Sequence, residues 1–206
     1  MASTIGRLFV FEGPDGVGKT ALAGLFAERL RESGADCYLT SFPGREPGTL
    51  GHLVYELHHE AARLGVPSLV PTSLQMLHVA AHIDAIEQRI VPALMSGRDV
   101  ILDRFWWSTW VYGLVTDANR RAIRAMLRAE RACWGATQPA AAFLIMRAAP
   151  LREADTGGGR DALCAAYREL AVSEARWHPV HVVRNDGAIH DTLREVVRLA
   201  GMEEGC

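Results

Sequence analysis

Lysine is nearly missing from this 206-residue chain: Lys19 is the only lysine, and the remaining basic residues are arginines. Any motif that needs a second lysine is thereby excluded. Cysteine is scarce and scattered. Cys37, Cys133, Cys164 and Cys206 share no C-x-x-C spacing, which leaves no disulfide framework or zinc ribbon and fits reduced thiols in a cytoplasmic protein. An excess of one charge is also absent. With 22 basic against 24 acidic residues the net charge is −2, so no global positive field draws nucleic acid or anionic lipid. Long apolar runs are missing too. The uncharged stretches at 105–116 and 132–146 fall short of the roughly 18 apolar residues that a membrane span needs. The N-terminal apolar run before Glu12 is too short for a secretory signal.

What remains is a globular composition, 49% hydrophobic and 22% charged, in a length that fits one domain over residues 1–206. Short apolar runs at 7–11, 37–41, 100–102, 142–146 and 180–183 alternate with stretches of helical spacing. The last three read as strands buried on both faces. After the breaker GVPSLVP, apolar positions from Leu74 to Leu94 predict one long helix, with Thr72 or Ser73 as its N-cap. The order predicts an α/β fold with a parallel sheet of five strands joined by right-handed crossovers, in which ligands gather at the carboxyl ends of the strands.

Directly after the first strand, Gly13-Pro14-Asp15-Gly16-Val17-Gly18-Lys19-Thr20 matches G-x-x-x-x-G-K-[ST]. Gly13, Gly16 and Gly18 let backbone N–H groups turn inward around phosphate oxygens at the head of a helix, with Val17 among them. Lys19 is placed to neutralise β and γ phosphates and Thr20 to hold Mg²⁺. A GTP switch reads guanine through [NT]-K-x-D, and the missing second lysine excludes it. Mechanochemical ATPases usually carry further domains. Phosphoryl transfer from ATP to a small acceptor is the class that remains.

FEGPDGVGKT, FPGREPGT, AAHIDAIEQRIVPAL, LDRFWWSTWVYG and YRELA, in that order, resemble the thymidylate kinases over nearly the whole chain. The resemblance implies the nucleoside-monophosphate-kinase fold (a five-stranded parallel sheet with helices on both faces), a homodimer, and transfer of the γ-phosphate of ATP to dTMP with Mg²⁺. It gives Asp15 to the acceptor sugar, Arg45 to the acceptor phosphate with Phe42 beside the nucleotide, and Tyr112 to the sugar face. Asp103 and Arg104 match an Asp-Arg-Tyr signature in which Phe105 replaces the Tyr. Arg104 is expected to bridge donor and acceptor phosphates and Asp103 to sit near the metal. Val17 stands where one subtype has a loop arginine, so the compensating charge is expected from a mobile lid at 147–161, chiefly Arg152 and Arg160 beside Gly157–Gly159. Asn185 and Gly187 fall where the family has its adenine-binding loop.

The chain also departs from the pattern on the base side. His82 stands where the family has an arginine that contacts the acceptor, His78 where an aromatic stacks on thymine, and Gly113 where it has a glutamine. Trp106, Trp107 and Trp110 read either as core and dimer surface or as an aromatic wall for an unusual base. The main reading is therefore a kinase for a (deoxy)pyrimidine monophosphate. Its rivals are a related kinase with a changed acceptor (a modified pyrimidine nucleotide, a nucleoside or a base in DNA) and a nucleotide-binding partner protein without turnover.

Overall fold

The computed structural model describes residues 5–151 and 159–202. The five apolar runs form strands β1 (Leu8–Glu12), β2 (Cys37–Ser41), β3 (Asp99–Asp103), β4 (Ala141–Met146) and β5 (Val180–Arg184). They pair in parallel in the order β2-β3-β1-β4-β5. Parallel pairing brings the carboxyl ends of all five to one edge of the sheet. The chain leaves central β1 toward β2 and β3 on one side and toward β4 and β5 on the other, and this reversal opens a crevice at that edge.

The helices are α1 (Lys19–Glu32), α2 (Leu50–Glu60), α3 (Pro71–Ala85), α4 (Val91–Met95), α5 (Trp106–Val115), α6 (Arg120–Trp134), α7 (Arg160–Glu174) and α8 (Ile189–Leu199). Alternation along β1 explains the layering. Phe9 and Phe11 pack with Phe26 of α1, Phe143 of β4 and Val196 of α8. Leu8 and Val10 face the other way, into a core shared with α3, α5, α6 and α7. Residues of β1, β3 and β4 are buried throughout, as parallel central strands require. No described helix is long and apolar enough to cross a membrane.

Three sequence expectations need correction. β5 is an edge strand with Val182 at 54% exposure, so it is not covered on both faces. Three valines within a five-residue strand cannot reveal which strand ends the sheet. The long helix starts two or three residues earlier, with Val70 as N-cap and Pro71 in the first turn. Thr72 instead accepts a hydrogen bond from the Asn119 backbone N–H (2.9 Å). Its apolar pattern does continue to Met95, but through a π-helical segment at Ile86–Ile90 that joins α3 to α4.

Candidate active site at the phosphate loop

Strand β1 ends in Glu12, a fully buried carboxylate that burial pushes above its ordinary pKa. Its oxygens accept hydrogen bonds from the backbone N–H groups of Gly13 (3.1 Å), Phe105 (2.7 Å) and Ser108 (3.0 Å), and from the Ser108 hydroxyl (2.9 Å). One side chain thus ties the start of the loop after β1 to the turn after β3. Sequence reasoning passed over Glu12. The available signal was a charge closing an apolar strand immediately before the loop glycines.

The loop then wraps at residues 13–18. Gly13 has φ +137°, and a Cβ there would lie 2.2 Å from the Ile145 carbonyl oxygen of β4, so only glycine lets the loop pass the neighbouring strand. Gly18 is the N-cap of α1 with φ 90°, and no side chain caps the helix. The first-turn N–H groups of α1 therefore remain available to an anion. Val17 is buried in the core, and its carbonyl accepts from Asn185 Nδ2 (2.8 Å). Asn185 also accepts from Thr192 Oγ1 (3.0 Å) and is itself buried. It braces the loop from behind, while Gly187 lies in the exposed turn after β5.

Lys19 is 5% exposed, and its ammonium donates to the Pro14 carbonyl (2.6 Å). Burial, followed by the nearby Arg104 charge, lowers its pKa to about 8. At the next residue, Thr20 Oγ1 donates to Asp103 Oδ2 (2.6 Å). Asp103 Oδ1 is buried and has no hydrogen-bond partner among the described residues. A hydroxyl beside a carboxylate with one orphaned oxygen is an all-oxygen donor set of the kind that suits a magnesium ion with its waters.

Arg104 follows β3 with φ 74°, a left-handed conformation that is costly for a residue with a Cβ. Its N–H bonds to the Phe11 carbonyl (2.9 Å), and the Glu12 bond to Phe105 holds the next residue. The kink directs the guanidinium toward Asp15, which it contacts, and Ser108 Oγ (3.1 Å). Burial opposes its charge, but Asp15, Tyr167, Tyr112 and Glu12 together outweigh that and raise its pKa. Tyr112 donates to the other Asp15 oxygen (2.5 Å). Although burial works against ionisation, Arg104 and Tyr112 hold the Asp15 carboxyl below its usual range. Arg104, Asp15 and Tyr112, predicted from three separate segments, thus form one cluster.

Arg160 starts α7 and donates to the carbonyls of Asp15 (3.1 Å) and Arg147 (3.2 Å), so it does reach the phosphate loop. Arg152, with residues 153–158 of the expected lid, lies outside the described residues. Tyr167, buried on α7, shares a hydrogen bond with Ser108 Oγ (2.9 Å). Ser108 therefore connects Glu12, Arg104 and Tyr167, a role with no sequence signature.

The wall formed by α2 and α3 is built of imidazoles. His82 is 2% exposed, stacks on Phe42 with ring centroids 4.0 Å apart, and bonds through Nδ1 to the buried Glu130 of α6 (3.1 Å). His78 Nε2 lies 3.2 Å from Nδ1 of His58 on α2. Burial and the neighbouring imidazoles lower the pKa of His78, and burial and His59 lower that of His58. His58 and Glu130 were not anticipated, because their partners come from other helices. Arg45 is exposed, with its guanidinium 4.7 Å from the Tyr55 ring centre.

Of the two readings of the tryptophans, their positions favour core packing over an aromatic wall for a base. Trp107 is fully buried, and Trp106 and Trp110 line a groove against α6 and α7. Ser108 and Tyr112 are offset from them by two residues, about 200° around α5, so the aromatic wall faces away from the phosphate loop.

A phosphate loop opening a helix at the reversal point of this five-stranded parallel sheet defines a P-loop kinase fold. The model of the thymidylate kinase family matches residues 11–155. The thymidylate kinase of Dinoroseobacter shibae is 43% identical over 121 residues, 57% of this chain and 55% of that protein. That of Ruegeria pomeroyi is 38% identical over 130 residues, 62% of this chain and 58% of that protein. The matched part thus spans just over half the length of these curated relatives. A crystal structure of thymidylate kinase from Ehrlichia chaffeensis superimposes with a TM-score of 0.75 over 96% of this chain and 99% of that one, at 23% identity, and so speaks for the fold. The chain belongs to the thymidylate kinase family.

Proposed function

We propose that this protein transfers the γ-phosphoryl group of ATP to a deoxypyrimidine nucleoside monophosphate. The observation that carries the reading is the convergence of Lys19, the Thr20–Asp103 pair and the Arg104–Asp15–Tyr112 cluster at one end of the sheet. The loop N–H groups and Lys19 hold the donor phosphates. Thr20 and Asp103 hold Mg²⁺, which when bound neutralises phosphate charge. Arg104 sits between the loop and the acceptor side, where negative charge spreads during transfer, and Arg160 can add to it from α7. Asp15 and Tyr112 orient the acceptor sugar, and Arg45 takes its phosphate, with Phe42 beside the nucleotide. No covalent intermediate is needed: catalysis comes from positioning and charge neutralisation. Pairing with a second copy belongs to the same proposal.

The test is ADP formation by purified protein with ATP, Mg²⁺ and a panel of dTMP, dUMP, dCMP and thymidine. Acceptor-dependent ADP release from a monophosphate supports the reading. Equal rates with thymidine would assign a nucleoside kinase, and no acceptor-dependent release would assign a binding protein.

A second reading, a changed acceptor, is favoured by His82. An arginine at this position could reach into the pocket, whereas this imidazole is committed to Glu130 and Phe42. With His78 paired to His58, the base side offers imidazoles in place of guanidinium and an aromatic ring. The panel therefore includes 5-substituted deoxypyrimidine monophosphates, and a preference for one over dTMP would select this reading.

A further inference from the structure

On the far side of α5 from Ser108 and Tyr112 lies a groove of about 670 Å³ between α5, α6 and α7. Its volume falls within the range of small-molecule sites. Its floor is apolar, made by Trp106, Trp110 and Leu127. Its rim is cationic: Arg120, Arg124, Arg128 and Arg131 recur along α6 at intervals of four, four and three residues, which places them on one helical face. Arg124 lies over the Trp110 ring (5.7 Å) and Arg131 over Trp106 (5.1 Å), so two of the guanidinium groups rest on tryptophans. None of the four forms an ion pair among the described residues. Glu169 of α7 is the one acidic residue on the described lining. In a chain of net charge −2, this is a local concentration of positive charge around an apolar floor.

We infer that this groove is a second anion site, separate from the phosphate loop, which takes a phosphate ester of mononucleotide size. Guanidinium groups suit phosphate oxygens through paired N–H bonds, and the rim supplies several within one ligand length. The apolar floor accommodates the flat or hydrocarbon body of such an ester. Inorganic phosphate alone would leave that floor exposed to water. The site does not depend on which acceptor the phosphate loop serves, and its test reads a different part of the molecule.

The probe is the indole N–H resonance of Trp110, assigned with Trp110→Phe, during titration of the intact protein with ATP at low and moderate salt. The Thr20 backbone amide reports the phosphate loop in the same spectra. The expected result is a saturable Trp110 shift whose dissociation constant differs from that at Thr20 and weakens with salt. In an Arg124→Glu, Arg128→Glu variant that constant should weaken at least tenfold, while the Thr20 response persists and shows that the protein is folded. The inference is overturned if Trp110 merely follows Thr20 in both proteins, or does not respond. It is likewise overturned if pyrophosphate binds as tightly as ATP, which would leave the apolar floor without a role. Tighter binding of an oligothymidylate or an acidic peptide than of ATP would replace it with a macromolecular docking face.

Discussion

The phosphate-loop floor and the α2–α3 wall lie on neighbouring sides of one crevice but are built in different ways. At the floor, backbone geometry does most of the work: Gly13 passes under β4, Gly18 leaves α1 uncapped, and Glu12 collects three backbone N–H groups. At the wall, side chains from different helices meet: His78 with His58, and His82 with Glu130 and Phe42. The difference follows from the ligands proposed for each. A polyphosphate offers the same oxygens whatever its base, and backbone N–H groups meet them from a loop of fixed shape. A base differs from its rivals by one or two edge groups, which only side chains can read, so the wall can change while the floor stays.

The sharpest way to break this contrast is at the floor. Lys19→Ala should lower turnover by a factor on the order of 10² to 10³, the scale of losing one preorganised charge donor. Rates of ADP formation near wild type would show that the floor tolerates change as the wall does. Arg104→Ala should lower kcat by a factor on the order of 10², because Arg104 faces charge that develops during transfer. Arg45→Ala should mainly raise the acceptor KM, by about tenfold. A steady-state comparison in which both variants change only KM would remove Arg104 from the reacting centre.

Glu12 tests the backbone part of the argument. Glu12→Gln keeps the shape but swaps an accepting oxygen for an NH₂ group, leaving a buried N–H such as that of Gly13 unpaired. We expect a loss of about 2 kcal/mol in denaturant unfolding and a fall in kcat from misplaced Arg104. Unchanged stability and rate would mean that the loop and the turn after β3 hold their shape unaided. At the wall the expected effects are smaller. His78→Phe and His82→Arg should each shift the kcat/KM ratio between dTMP and its analogues by roughly tenfold or more, toward dTMP. If the ratio does not move, these imidazoles are packing residues.

The smallest effect concerns pH. Lys19 has a pKa lowered to about 8, so its ammonium is present below that value and lost as pH rises through it. Phosphate binds the charged form, so affinity for ATP should fall a few-fold between about pH 7 and 9. Bound phosphate opposes the proton loss, which keeps the change modest. Titration calorimetry on wild type and Lys19→Arg separates this from other groups, because the arginine stays charged and should flatten the profile.

The sequence by itself determined the five strands, the phosphate loop and the residues gathered near it. Strands show as short continuous apolar runs because a central parallel strand is buried on both faces, and the loop shows because only glycine passes where Gly13 and Gly18 lie. The resemblance named Asp15, Arg104 and Tyr112 from separate segments, and the fold joined them. Only the tertiary structure decided the rest. It made β5 an edge, turned Trp106 and Trp110 away from the phosphate loop, and paired His82 with a glutamate 48 positions along the chain. Strand and loop signals are local in sequence, whereas the partner of a buried polar side chain is set by which helices pack together. That packing depends on the whole core, so a single residue such as Glu130 or Ser108 carries no mark of its role.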